Sequence, residues 1–594
     1  MIQTNLCINK LMRERHSIWL LFIIAVLILS FKTIYFHQLT FGLFPQCASG
    51  MALTICKFYV AKLLPSILIS SILLFVPNKI WITICMLLAD FLCLANIIYF
   101  KSYDLFLTID SISLLGNMDG AWTSLEAYLD VRLLLFPLST AIWIMLSYLI
   151  KLQSNRNPKI GGVLVVFLFI LGYTNNILIY DYTDVCGVTK FSNNATNTPF
   201  TFKKYCRLPF MGIAMHRMDG RTYVYEQSIL SYLPSEILRF VREIGNDVEL
   251  TEKDNYAVKQ LINNSLTENL PPPSTSVIII LVESLESWVI NQKVDGVEIT
   301  PFLNSLVSQQ HVLYCDKIKS QTLAGNSGDG QMIVNTGLLP IKKGVACMQF
   351  YSNVYPNIAS MYPSSFTINP WPHIWNQTAM SKRYGYKQLH EPKPNENWQD
   401  RDVLDRSTQL INKADTNFCA MNITISMHSP FDRISNPLPL SNNTPDLLRK
   451  YIECVNYTDK CIEYFLCTQL SDSIRNNSTI VITSDHTIFK PAVLKDFVEY
   501  AIGQNLSFAN GNNYCPLIIY SPKINENIYV SEVCYQMDIY PTIINIIEKQ
   551  DYYWKGFGVN LLDSTAHTNR FITEKEAYEL SDKLIRSNYF KNYE

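Results

Sequence analysis

The chain has 594 residues and a formal net charge of -1, enough for several domains and without the basic excess that marks a nucleic-acid binder. Charged residues make up only 17% and hydrophobic ones 48%. That mean hides a split. Residues 1–180 are very apolar, and the remainder reads as a soluble globular protein. A membrane domain (1–180), a linker (181–273) and an outer globular domain (274–594) account for both halves.

Five apolar stretches are long enough to cross a bilayer as helices, which takes about 20 residues each. They run over residues 18–36, 56–76, 80–100, 133–152 and 160–180. The first is no cleaved signal peptide, because its apolar core is too long and four more spans follow. Lys10, Arg13 and Arg15 precede the first span, and Lys79 sits between the second and third. Lys151, Arg156 and Lys159 lie between the fourth and fifth. Positive residues stay on the cytoplasmic side, so an odd number of spans places everything after Tyr180 outside. The expected location is the cytoplasmic membrane, with the globular domain facing out. Asp90 lies inside the third span, where an acid needs a partner. No basic residue at similar depth is evident, so it is expected to hydrogen-bond another span.

In the linker, Leu230, Leu233, Ile237, Leu238 and Val241 recur at helical spacing over residues 225–241. This predicts an amphipathic helix packed on the globular domain, with the membrane surface as the alternative. Pro271, Pro272 and Pro273 mark a boundary. Ten of the 15 cysteines follow Tyr180. Cys186–Cys206 and Cys461–Cys467 are candidate disulfides in an oxidising compartment, with buried free thiols equally open.

Beyond the prolines, apolar runs of strand length alternate with helical stretches, the signature of an α/β domain with a mostly parallel sheet between helices. Residues 276–282 form a buried-strand run ending at Glu283. Residues 420–427 form another, ending at His428, and residues 479–484 a third, ending at Asp485 and His486. Ligands bind at the carboxyl ends of strands in such sheets, so these four side chains are expected to converge. Carboxylate and imidazole suit a divalent ion such as Zn or Mn. Singly, each has an ordinary structural reading, and the joint placement carries the argument. Thr300 and Pro301 begin a helix after the first strand. Gly325-Asn-Ser-Gly-Asp-Gly330 then reads as a glycine turn ahead of a helix at 331–339. Ser327 in that turn is the nucleophile candidate, because helix N-terminal amides attract phosphate and a metal on its oxygen would favour the alkoxide.

Val-Glu283-Ser, Gly-Asn-Ser327-Gly-Asp-Gly-Gln, Met-His428-Ser-Pro-Phe and Ser-Asp485-His486 together resemble the sulfatase-like branch of the alkaline phosphatase superfamily. The likeness is greatest to the lipoteichoic acid synthase and phosphoglycerol transferase group, which also has five spans and an outward-facing catalytic domain. The resemblance implies that Glu283, Ser327, Asp485 and His486 hold one divalent metal ion (Mn or Zn, or Mg). Ser327 stands for the family's threonine nucleophile, and His428 for a histidine that contacts the substrate phosphate. Residues 374–380 are similar to a segment in which a tryptophan and an arginine hold glycerol phosphate. Trp375 fits, and Gln377 stands where an arginine is usual. No formylglycine motif of true sulfatases occurs. The implied reaction moves a phosphoglycerol- or phosphoethanolamine-type group from a phospholipid donor in the bilayer to an envelope glycan or lipid acceptor. A hydrolase of envelope esters and a non-catalytic lipid binder are the alternatives.

Overall fold

The computed structural model describes residues 2–42, 51–76, 78–103, 106–111, 130–150, 161–167, 224–225, 227–243, 248–263, 272–414, 417–488, 498–510, 513–565 and 570–593. These fall into two compact units, residues 1–109 with 128–246, and residues 110–127 with 247–594.

In the first unit, three helices are long and apolar enough to cross a membrane: Ile18–Phe41, Lys79–Lys101 and Val131–Leu149. They correspond to the expected first, third and fourth spans. The second is a helix over Met51–Ser70, interrupted at Ser71 and resumed over Ile72–Phe75. Its apolar part, Lys62–Phe75, is shorter than a full crossing. Of the fifth, residues 161–167 are helical and 168–180 lie outside the described residues. Leu21, Leu29, Ile82, Met86, Phe136 and Trp143 make the buried core, while Leu27, Leu88, Phe91 and Tyr148 face outward. An apolar outer surface around an apolar core is what a helix bundle needs in a hydrocarbon solvent.

The structure supplies the partner that Asp90 seemed to lack. Lys32, from the first span, forms a buried ion pair with it. The same ammonium donates to Phe136 O (2.8 Å) and Thr140 Oγ1 (2.9 Å), and Thr140 Oγ1 donates to the other Asp90 oxygen (2.5 Å). Asp90 therefore does bond another span, but as part of a charge pair joining three helices. The pairing removes two charges from contact with lipid.

The predicted linker helix forms over Ile229–Glu243, but it packs on the apolar bundle. Tyr232 packs edge-on against Phe106, and Lys62 Nζ donates to Val224 O and Tyr225 O, each at 2.6 Å. Leu230 is buried, whereas Leu233 and Ile237 are exposed. The buried face is shared instead by Tyr232, Ser235 and Glu236. The side chains of Leu238 and Val241, and the Cys186–Cys206 pair, lie outside the described residues.

The second unit is built on a nine-stranded sheet. In chain order its strands are β1 (Ser276–Val282), β4 (Val312–Lys319), β5 (Ser364–Ile368), β6 (Gln388–His390), β7 (Phe418–Ile423), β8 (Ser478–Ser484), β9 (Cys515–Tyr520), β10 (Ile528–Val530) and β11 (Cys534–Tyr535). A separate two-stranded ribbon pairs β2 (Lys293–Val294) with β3 (Val297–Glu298). The sheet order is β10-β4-β9-β8-β1-β7-β5-β6, with β11 beside β4. All neighbours are parallel except β9, which runs antiparallel to both β8 and β4. β1 sits centrally and is buried at all seven positions. That explains its continuous β-branched sequence, since a strand covered on both faces has no polar side.

Cys461 and Cys467 are free thiols, not a disulfide. They lie six residues apart along one continuous helical run, so they project from different faces. Cys461 is buried and Cys467 exposed.

Candidate active site

Register brings the first three candidates together. In the parallel ladder Val282 lies opposite Ser484, so the next residues, Glu283 and Asp485, leave the sheet side by side. The ladder continues one step, with Asp485 N–H donating to Val282 O. Ser284 adopts a left-handed backbone (φ 55°), which turns the chain and lets its N–H donate to Asp485 Oδ1 at 2.9 Å. His486 follows, its own N–H on the same oxygen (2.7 Å). Its Nδ1 donates to Thr487 O at 3.2 Å. That leaves Nε2 facing Glu283 Oε1 (3.4 Å) and Asp485 Oδ2 (3.7 Å).

All three side chains are buried, and each offers one ligand atom within 4.8 Å of the others. Burial pushes the Asp485 carboxyl up, and the neighbouring Glu283 charge adds to this. Glu283 is held low despite its burial by the hydrogen bond and charge of His486. His486 is pushed up against its own burial by the same two carboxylates. Two carboxylates and an imidazole nitrogen, dry and mutually adjacent, are a donor set that fits a divalent ion.

Ser327 reaches this cluster: its Oγ donates to Glu283 Oε2 at 3.1 Å. The expected glycine turn is in fact the first turn of a helix, Asn326–Thr336, which ends at left-handed Gly337. Asp329 explains the earlier start. Its Oδ2 accepts the N–H groups of Leu323 (2.8 Å) and Gly325 (3.0 Å), holding the approach to the helix from within. Burial pushes this carboxyl up to about 7, against those two bonds. The glycines have spatial reasons. A Cβ on Gly330 would lie 2.4 Å from Asp485 O, and one on Gly328 would lie 2.9 Å from Trp375 Cβ. The Ser327 helix is thus pressed against both the Asp485 backbone and the Trp375 segment.

Trp375 and Asn376 both have positive φ (56° and 52°). Two consecutive left-handed non-glycine residues store strain, and such strain gathers at functional sites. Asn376 Nδ2 donates to Cys347 O (3.2 Å) and Gln377 Nε2 to Trp375 O (3.0 Å), which hold the turn. Gln377 itself is only 2% exposed, and its Oε1 is buried without a hydrogen-bond partner among the described residues. It sits beneath Trp375 and supports that backbone.

His428 is half-buried, and its charge acts on Glu283. The strand before it is shorter than the sequence predicts, ending at Ile423. Asp400 is the reason. Its Oδ1 accepts the N–H groups of Ile425 (2.7 Å) and Ser426 (2.8 Å), and Thr458 holds the other oxygen (2.6 Å). These bonds turn the chain out of the ladder and set the loop that carries His428. His428 Nδ1 donates to Ser429 O (2.8 Å), and the ring meets Trp371 in a T-shaped contact at 5.4 Å.

Several supporting residues were not singled out from the sequence. Gln536 Nε2 donates to Asp485 O at 2.7 Å, while Gln321 N–H donates to Gln536 Oε1 at 2.7 Å. Glu286 accepts from Ile488 N (2.9 Å) and Trp288 Nε1 (2.9 Å), joining the segments beyond β1 and β8. Polar residues set among apolar runs, as Gln536 and Glu286 are, were the available signal. Their partners, more than 200 residues away in two of these four bonds, were not.

Two family matches divide the chain. Residues 5–192 match the lipoteichoic acid synthase N-terminal domain, and residues 275–548 match the sulfatase family. Lipoteichoic acid synthase 2 of Bacillus subtilis is 23% identical over 568 residues, 90% of this chain and 82% of that protein. The lipoteichoic acid synthase of Staphylococcus aureus (strain NCTC 8325 / PS 47) is 22% identical over 586 residues, 92% of this chain and 85% of that one. Among solved structures, the integral membrane protein lipooligosaccharide phosphoethanolamine transferase A of Neisseria meningitidis superposes with a TM-score of 0.50 at 13% identity. It covers 90% of this chain and 96% of its own, which shows a shared fold. The chain therefore belongs to the sulfatase-like branch of the alkaline phosphatase superfamily, as a membrane protein carrying a lipoteichoic acid synthase N-terminal domain.

Proposed function

We propose that this sulfatase-like phosphotransferase moves a phosphoglycerol- or phosphoethanolamine-type group from a phospholipid to an envelope glycan or lipid, through a phosphorylated Ser327. One observation carries the reading: a serine hydroxyl 3.1 Å from a carboxylate that belongs to a buried carboxylate–carboxylate–imidazole cluster. In this reading Glu283, Ser327, Asp485 and His486 hold one divalent ion, Mn or Zn by their chemistry. When bound, that ion lowers the pKa of the serine hydroxyl and offsets charge on the phosphoryl oxygens.

The rest falls to the chain. Glu283 accepts the hydroxyl proton along the existing hydrogen bond. Ser327 Oγ forms a bond to phosphorus as the bond from phosphorus to the diacylglycerol oxygen breaks, and that oxygen leaves with the proton Glu283 had accepted. His428 Nε2–H, in the imidazolium form, donates to a phosphoryl oxygen and steadies its charge. Trp375, beside Gly328, forms the wall against which the head group rests. The oxygen of an acceptor hydroxyl then bonds to phosphorus as the bond from phosphorus to Ser327 Oγ breaks, and the acceptor's proton passes through Glu283 to Ser327. Five spans, with Lys10, Arg13, Arg15, Lys79, Lys151, Arg156 and Lys159 inside, would put this domain outside the membrane and hold it near its lipid donor.

The test uses the full-length protein in mixed lipid vesicles with Mn or Zn and labelled phospholipids. Mass spectrometry should find the head-group phosphate on Ser327, and Ser327→Ala should abolish both adduct and transfer. Chelation should stop turnover, and added metal should restore it. Undiminished transfer by Ser327→Ala would remove the mechanism.

A further inference from the structure

The position that resembles an arginine site holds Gln377, and that side chain is buried and neutral. A guanidinium nevertheless lies close to His428, carried by a different element. Arg433 follows His428 by five residues on one loop, anchored by buried Phe431, whose ring packs on Tyr451 at 5.2 Å. The Arg433 guanidinium lies over the Trp371 ring, 5.4 Å from its centroid, and the same indole contacts His428 at 5.4 Å. Trp371 thus links the two: Arg433 lies over its ring and His428 meets it in a T-shaped contact.

The anchoring of Arg433 is neutral. Its Nη2 donates to Asn397 Oδ1 at 2.8 Å, and its Nε is buried without a hydrogen-bond partner among the described residues. Asp400, Asp432 and Glu283 act on it only through space. A half-buried guanidinium whose bonded partner is a neutral amide, not a carboxylate, keeps its charge for an anion that reaches its Nη groups. Its position on Trp371 has a second consequence. The indole face that would otherwise attract an ammonium group is already covered by a cation.

We infer that Arg433 is a specificity-determining residue, supplying from the His428 loop the phosphate-binding charge that Gln377 lacks and disfavouring head groups that carry an ammonium. This rests on the transfer reaction proposed above and selects within it a glycerol phosphate over an ethanolamine phosphate. A head-group phosphate held between Arg433 and His428 keeps its polyol near Trp375. An aminoalkyl group in the same pose meets like charge.

Two measurements separate this inference from the reaction it refines. The first is calorimetric titration of the full-length, metal-loaded protein with glycerol phosphate and with phosphoethanolamine. Wild type should bind glycerol phosphate more tightly. Arg433→Gln should lose about 10- to 100-fold in affinity for it, the range for one charge-assisted hydrogen bond, and the two ligands should become nearly equal. Arg433→Lys should keep most of the preference, which a merely structural role would not predict. The second is head-group transfer from phosphatidylglycerol and from phosphatidylethanolamine, with Ser327→Ala as reference. Arg433→Gln should raise KM for phosphatidylglycerol more than it lowers kcat, with an unchanged melting temperature. Equal binding of both ligands by wild type and Arg433→Gln overturns the inference, even if Ser327-dependent transfer stands. If wild type transfers neither head group, the proposed reaction falls, and the titration still decides the role of Arg433.

Discussion

Replacing Gly330 by alanine tests the site through its backbone, without altering the side chain of any candidate ligand. Gly330 lies in the Ser327 helix, three residues beyond the nucleophile candidate. A Cβ there would stand 2.4 Å from Asp485 O and 2.9 Å from Asp485 C and Cα. Ordinary contact begins near 3.4 Å, so the helix and the Asp485 backbone must separate by about 1 Å (3.4 minus 2.4). Neither side yields cheaply. The helix is fixed by the Asp329 bonds, and Asp485 O by Gln536 and by the end of β8. Overpacking of this kind costs about 1–3 kcal/mol of stability. The functional cost is larger, because a shift of about 1 Å between reacting groups costs about 100-fold in rate, or about 2.7 kcal/mol of barrier. Head-group transfer by purified full-length Gly330→Ala is the assay, with metal affinity measured in parallel by competition with a chelator. Both should fall while the protein stays folded. Gly296→Ala is the control. It sits between β2 and β3 at φ 81° with nothing within 4 Å of a new Cβ, so it strains the backbone and leaves turnover alone. If Gly330→Ala keeps transfer within about threefold of wild type and binds metal normally, the tight seat of Ser327 against Asp485 does not govern the chemistry.

Two further predictions concern the scaffold. Asp459 is buried and accepts the N–H groups of Phe302 (3.0 Å) and Leu303 (2.9 Å), and burial pushes its carboxyl up to about 6. Between about pH 4 and 6 the folded protein keeps a proton that the unfolded chain has lost, so this group's stability contribution falls by about 3 kcal/mol as pH rises through that window and is flat above it. Asp459→Asn should lose that slope, so the difference in denaturation free energy between variant and wild type should change with pH across this window, and parallel curves would refute the assignment. In the bundle, Lys32→Met leaves Asp90 buried without its cation and should destabilise the protein in detergent by about 3 kcal/mol. Lys32→Met with Asp90→Asn should recover most of this, and a single variant as stable as wild type would deny the pair any structural role.

Much of the candidate site was legible because its strands are simple. Residues 276–282 and 478–484 are apolar runs broken at once by Glu283 and by Asp485-His486. A strand buried on both faces accepts small hydroxyls but not an unpaired charge, so the change to carboxylate and imidazole marks where the sheet ends. The parallel register then makes neighbours of residues about 200 positions apart. The start of the Ser327 helix and the early end of β7 were not legible. Both are set by single carboxylates, Asp329 and Asp400, that capture backbone N–H groups. Local propensity does not encode which of many acids will do so. The Cys461–Cys467 pairing failed for a geometric reason, since spacing within a helix says on which face a thiol lies only once the helix is known to continue through both.

The sequence by itself determined the apolar helices, the α/β domain, the ligand-type residues at strand ends and the serine on a glycine-rich segment. These follow from hydropathy, periodicity and side-chain chemistry, which are local properties. Only the tertiary structure decided that Lys32 meets Asp90, that the linker helix packs on the bundle, that Gln377 is buried, and that Arg433 comes to the Trp371–His428 edge. Each of those is a choice of partner across a long stretch of chain, made by which faces pack together.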